Sequence, residues 1–188
     1  MIKMIKMDLY RFFCSASTWI ILLADSLLAF FSAMLVATNK SIQSYPNAGE
    51  LLAAQINGGM IMILCVIAVL VFVSTKYKNG FIKNIANQLP RREMLVFPEI
   101  IVIFVICALH FLIYTFCTIT AGAAFFGNTF MDFSFFTIIK LLIVQFVLHC
   151  GYCCFVLLFY MLTGSTTFTV VVGLLIAFKS LNVLYVLI

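Results

Sequence analysis

An all-α, polytopic bundle of membrane-spanning helices is the fold class this sequence predicts, on three observations. Hydrophobic residues make up 65% of the 188 and charged residues 9%, against about 45–50% apolar and about 25% charged in soluble domains. Uncharged runs recur at the length of roughly 20 residues that a helix needs to cross the hydrocarbon core. Those runs are continuously apolar and do not alternate at period two, so the short strands of a membrane β-barrel are excluded. A mean hydropathy of +1.24 leaves no room for a soluble domain of normal size, and 21 Phe with 7 Tyr exclude a disordered chain. Residues 1–188 read as a single transmembrane domain.

The elements follow in order. Met1–Phe13 is amphipathic at helical spacing, with Ile2, Ile5, Leu9, Phe12 and Phe13 on one face and Lys3, Lys6 and Asp8 off it. Residues 1–16 thus read either as a helix lying in the membrane interface or as a plain basic anchor. Span one is Ser17–Thr38, interrupted only by Asp25, with Trp19 as an interface anchor. Span two is Asn57–Thr75, and span three runs from about Ile100 to about Ala121. No charge occurs from Leu141 to Phe178, a stretch too long for one span, and Gly164-Ser165-Thr166-Thr167 is its turn-like interruption. A hairpin of span four (about Ile138–Leu162) and span five (from about Phe168) is the expectation. The sequence ends inside an apolar run, Leu184–Ile188, and a final span is expected to be missing.

Lys and Arg orient such a chain, because cytoplasmic loops carry their excess. Lys3, Lys6, Arg11, Lys76, Lys78, Lys83, Arg91 and Arg92 are eight of the 11 basic residues, leaving Lys40, Lys140 and Lys179. This puts the N-terminus and the 76–99 loop in the cytoplasm. The net charge of +5 then reflects topology and not nucleic-acid binding. Asp25 breaks the first apolar run and no small-residue cleavage site follows it, which argues against a secretory signal peptide.

Seven Cys is an odd number, and all lie at or within the expected spans, so reduced thiols acting as small apolar packing residues are the reading. His149, Cys150, Cys153 and Cys154 form i,i+4 rows that would suit Cu(I) or Zn. Close packing of small residues in span four explains the same pattern. Asp25 lies roughly 12 Å into span one, near the midplane, where a carboxylate is costly and usually faces a bundle interior or a wet cavity. It reads as a wall residue of a translocation path, as the partner of a cation such as Lys179 or His110, or as a neutral acid bonded to nearby polar groups. His110, in span three, is the other path candidate, with a hydrogen-bonded packing role as the plainer reading. Glu99, beside Pro98, suits the N-terminus of span three. Lys179 is expected to snorkel to the outer interface.

The 76–99 loop carries the most information. Asn79-Gly80 is a turn signal and Pro90 ends what precedes it. Between them Phe81, Ile82, Ile85 and Leu89 share one helical face, with Lys83, Asn84, Asn87 and Gln88 elsewhere, and Arg91-Arg92-Glu93 follow. A short amphipathic helix of this kind docks in a groove on a partner or rests on the membrane.

The segment from Lys76 to Ile100, above all Gly80-Phe81-Ile82-Lys83-Asn84-Ile85-Ala86 and the following basic pair, resembles the cytoplasmic loop of ABC-2-type transporter permeases. The resemblance extends to the basic N-terminal segment, the flanking spans and the closely joined spans four and five. It implies a permease subunit paired with a second permease copy, identical or paralogous, and with two cytoplasmic ABC ATPase subunits, in a bacterial plasma membrane. The residues it assigns to ATPase coupling are Gly80, Phe81, Ile82, Lys83, Asn84, Ile85, Ala86, Gln88, Leu89, Arg91 and Arg92. It further implies export of a hydrophobic or amphipathic cargo, a peptide antibiotic or peptide toxin being favoured. Members have six spans with short re-entrant helices after the fifth, where this chain has Lys179–Asn182. The sequence has no G-x-x-x-x-G-K-[ST] phosphate loop, so ATP and Mg2+ belong to the partner, and no enzyme activity, cofactor or metal is expected of this chain. The rival readings are a passive channel or interaction subunit, which needs no docking helix, and a metal transporter built on His149 and the neighbouring thiols.

Overall fold

The computed structural model describes residues 2–38, 48–57, 59–78, 93–126 and 134–177. Seven helices follow one another among them: α1 (Ile2–Cys14), α2 (Ala16–Thr38), α3 (Ala48–Asn57), α4 (Met60–Lys78), α5 (Glu93–Phe126), α6 (Phe135–Thr163) and α7 (Thr166–Ala177). Four of these, α2, α4, α5 and α6, are long and apolar enough to cross a membrane, and α7 is a shorter apolar helix. The chain is an all-α bundle with the character of a multi-pass membrane protein.

The expected spans recur with shifted ends. Span three is longer than its uncharged run, because α5 begins at Glu93 and carries Pro98 inside it. Span two continues through Lys76 to Lys78. The fifth expected span is described only as the 12 residues of α7, and Lys179–Asn182 lie outside the described residues. Helix α3 was not anticipated, since Ala48–Asn57 has neither the length nor the apolarity of a span.

Local chemistry explains the joints. Between α1 and α2 the chain breaks at Ser15, and the last carbonyls of α1 still find donors: Thr18 Oγ1 donates to Phe12 O at 2.7 Å and Trp19 Nε1 to Phe13 O at 2.9 Å. Helix ends leave such carbonyls without intrahelical partners. Between α6 and α7, Gly164 adopts a left-handed φ of 63° and its N–H bonds Tyr160 O at 2.9 Å, the C-terminal cap that glycine favours. The interruption read at Gly164–Thr167 is present but confined to Gly164 and Ser165, since α7 already begins at Thr166.

Helix α4 is the centre of the bundle, with 56% of its span buried, whereas α2 has 22% and α6 28%. Lipid is as apolar as leucine, so packing and not hydrophobicity holds such helices together. Small residues make the close approaches: Ala29 and Ala33 of α2 and Ala121 of α5 are buried where α2 lies along α5. The outward face of α2 carries Leu23, Leu27, Phe31 and Leu35, all exposed. Ala33, Leu51 and Ala121 pack together at one end, while Asp8, Lys76 and Glu99 meet at the other. Helices α2 and α5 thus run parallel, α4 runs against them, and the chain ends flanking residues 79–92 share the α1 end.

Helix α7 packs on α4 through Gly173, where an added Cβ would stand 2.7 Å from Val66 Cγ1. Gly173→Leu is expected to lose about 1–3 kcal/mol through overpacking, read as a lower unfolding midpoint in detergent. Gly151→Leu is the control, with nothing within 4 Å of its Cβ position, and is expected to leave the midpoint in place.

Candidate functional site

Three of the six acids in the sequence, Asp8, Asp25 and Glu99, are fully buried. They define two polar centres at different levels of the bundle.

The first centre ties α1, α4 and α5 together. Lys76 Nζ donates to Asp8 Oδ2 at 2.8 Å and stands 3.0 Å from Glu99 Oε1, with all three side chains 0% exposed. Arg11 Nη1 lies 3.9 Å from Asp8 Oδ1, one turn along α1. Tyr77 OH is 3.5 Å from both Glu99 Oε2 and Met161 Sδ, and its ring meets Tyr160 edge-on with centroids 5.5 Å apart, so α6 is joined too. Two carboxylates on one ammonium leave a net negative charge, and Arg11 beside Asp8 restores the balance. A buried ion cluster gains little net stability over apolar packing, but losing one member is costly because the others stay buried.

This centre corrects two expectations. Asp8 falls off the apolar face of the N-terminal helix in the sequence pattern, yet it is buried because Lys76 compensates its charge. Glu99 was assigned to a helix N-terminus, but α5 starts six residues earlier, at Glu93, and Glu99 instead serves Lys76. Lys76 itself reads in sequence as the first loop residue and is in fact a buried cation within α4. The signal that could have found the centre is scarcity: few acids exist, and two of them sit inside helical apolar patterns.

The second centre is the Asp25–His110 pair between α2 and α5. The carboxylate Oδ2 and the imidazole Nδ1 are hydrogen-bonded, with side-chain exposures of 0% and 1%. His110 is one of the two partners weighed for Asp25, and the other, Lys179, lies outside the described residues. One and two turns further along α5, Tyr114 lies against Ser32 of α2, and Thr118 Oγ1 donates to Gln55 Oε1 of α3 at 2.9 Å.

His149 donates from Nδ1 to Gln145 O at 2.8 Å and packs edge-on against Phe111 at 4.8 Å. All seven cysteines are free thiols. Cys107 of α5 lies beside both Cys65 of α4 and Cys150 of α6, a thiol layer where three helices meet. Among the described residues no three His, Cys, Asp or Glu side chains converge to hold a metal ion. Gly80 through Arg92, the coupling residues named from sequence, lie outside the described residues.

Two hollows open on the surface of the described residues. A cavity of about 330 Å³ opens beside the α1–α2 joint, with Tyr10, Arg11, Ser15 and Thr75 around an apolar floor of Ile21, Val71 and Phe72. A wider apolar groove of about 510 Å³ runs between α5 and α6, lined by Phe111, Leu112, Phe116, Ile143 and Phe146. Comparison of the chain with family models, with characterised proteins and with solved structures gave no match in any of the three.

Proposed function

We propose that this chain is the membrane-spanning permease subunit of an ATP-driven ABC-2-type exporter. A second permease copy and two separate ATPase subunits complete the machine, and the α1 end faces the cytoplasm. Residues 81–89 supply the helix that docks on the ATPase, with Gly80, Arg91 and Arg92 beside it. The observation that carries this reading is the buried Asp8–Lys76–Glu99 cluster. It fastens together the two helix ends from which residues 79–92 depart, and fastens both to the N-terminal helix. A docking helix transmits work only if its stems are rigidly joined to the spans. Ion pairs closed off from water at those stems supply that joint, and a displacement of the loop then moves α1, α4 and α5 together. Hydrophobic or amphipathic cargo is the class that the apolar α5–α6 groove can accept, and the sequence resemblance favours a peptide.

The test uses the full chain with an affinity tag in its native membrane. Ile85→Asp places a charge on the apolar face of the docking helix, and Lys83→Glu reverses the charge beside it. Both are expected to abolish co-purification of the ATP-binding chain while leaving the gel-filtration profile of the permease unchanged. Retention of partner and transport in both variants would favour the passive channel or interaction subunit instead.

A further inference from the structure

We propose that the Asp25–His110 pair is a proton-binding site reached from the α3 end of the bundle along a ladder of hydroxyl and amide groups on one face of α5. The inference concerns chemistry inside one protomer and does not depend on the exporter reading.

His110, Tyr114 and Thr118 recur every four residues, so they stack along α5 with rungs about 6 Å apart. A polar group from another helix meets each rung: Asp25 at His110, Ser32 at Tyr114 and Gln55 at Thr118. All three α5 side chains are at most 2% exposed. In the opposite direction the same face of α5 carries Ile106, Ile103 and Val102, all buried and apolar. The ladder is therefore one-sided, polar toward α3 and sealed toward α1.

A merely structural pair would use up its hydrogen-bonding capacity. Here Asp25 Oδ1, His110 Nε2 and, two rungs away, Gln55 Nε2 are buried without a partner among the described residues. Buried polar atoms left this way are costly, and in native proteins they are met by ordered water or kept for a functional role. Imidazole suits the second role, since it accepts a proton at one nitrogen and releases one from the other.

The proton count is simple. With one proton between Oδ2 and Nδ1 and one on Nε2, the pair is neutral overall. Adding a proton gives a carboxylic acid beside an imidazolium, net +1, and removing one leaves a carboxylate beside a neutral imidazole, net −1. No other bond is made or broken. The other titratable groups facing Asp25 are Tyr114 and Cys117 of α5 and Cys65 of α4. The Asp8–Lys76–Glu99 cluster lies on the sealed side, eleven residues or about 16 Å along α5 from His110.

The test is nuclear magnetic resonance of the whole chain in lipid nanodiscs with the histidine rings labelled with nitrogen-15. Two histidines are present, and His149→Gln assigns the signals. The His110 ring signals are expected to move with pH, and Asp25→Asn to displace that response. Thr118→Val and Gln55→Leu, which break the ladder without touching the pair, are expected to keep the end-point spectra and to slow proton exchange about tenfold, the rate equivalent of one hydrogen bond. His110 signals that do not move with pH would overturn the proposal. So would exchange at the wild-type rate in both ladder variants, which also decides the matter if Asp25→Asn fails to fold.

Discussion

Lys76→Met is expected to destabilise the folded chain by about 3–5 kcal/mol, the range found when one partner of a buried ion pair is removed. The side chains are similar in length, so the loss is electrostatic and not a cavity. Asp8 and Glu99 would remain buried with no cation between them, Arg11 standing 3.9 Å from Asp8. Helices α1, α4 and α5 lose their common ion pairs at once. Adding Asp8→Asn and Glu99→Gln to Lys76→Met is expected to recover most of the loss, because neutral amides carry no charge to desolvate. Lys76→Arg, which keeps the charge, is expected to lose less than Lys76→Met. Unfolding midpoints in a single detergent read all three. A triple variant no more stable than Lys76→Met would mean that the cluster is not held by charge compensation.

His110→Leu has the second-largest expected effect, with the opposite remedy. It strands Asp25 among apolar side chains, where an unpaired polar group costs about 1–3 kcal/mol. Asp25→Leu alone strands the imidazole and costs a similar amount. Together the two substitutions leave two apolar side chains facing each other between α2 and α5. The double variant is expected to match or exceed the wild type, since replacing a buried pair by apolar residues of similar volume is often neutral or stabilising. The non-additivity measured in that cycle is the coupling between the two residues. The same double variant is expected to lose the proton-dependent histidine signal, so stability and proton binding part company at this site. A double variant as unstable as the sum of the singles would show that Asp25 and His110 act independently.

The helices were legible in the sequence because burial in lipid is written residue by residue. Long apolar runs located α2, α4, α5 and α6, and Gly164 marked the α6–α7 turn. Their ends were not legible from charge alone. Lys76, Glu99 and Asp8 look like interfacial punctuation when each is read against water or lipid, and their burial depends on one another across 68 and 23 residues of sequence. Pairing at that separation leaves no periodic trace. Asp25 stood out because a lone acid in an apolar span demands a partner, and His110 was within the candidates for that reason. The Ser32 and Gln55 rungs were missed, because hydroxyl and amide groups in a span are individually ordinary. Only the register of α2 and α3 against α5 lines them up with Tyr114 and Thr118. Helix α3 was missed because it is short and its sequence carries no span-length apolar run.

The central claim is that residues 80–92 dock on a separate ATP-binding chain whose hydrolysis drives the spans. The most direct measurement is ATP hydrolysis by the tagged full-length chain, purified from its native membranes in mild detergent, returned to lipid vesicles and compared with the Ile85→Asp variant prepared in parallel. The predicted result is a co-purifying chain bearing a G-x-x-x-x-G-K-[ST] phosphate loop, with vanadate-sensitive hydrolysis in the wild type and neither chain nor hydrolysis in Ile85→Asp. Purification of the intact, folded chain with no phosphate-loop partner and no ATP hydrolysis would contradict it.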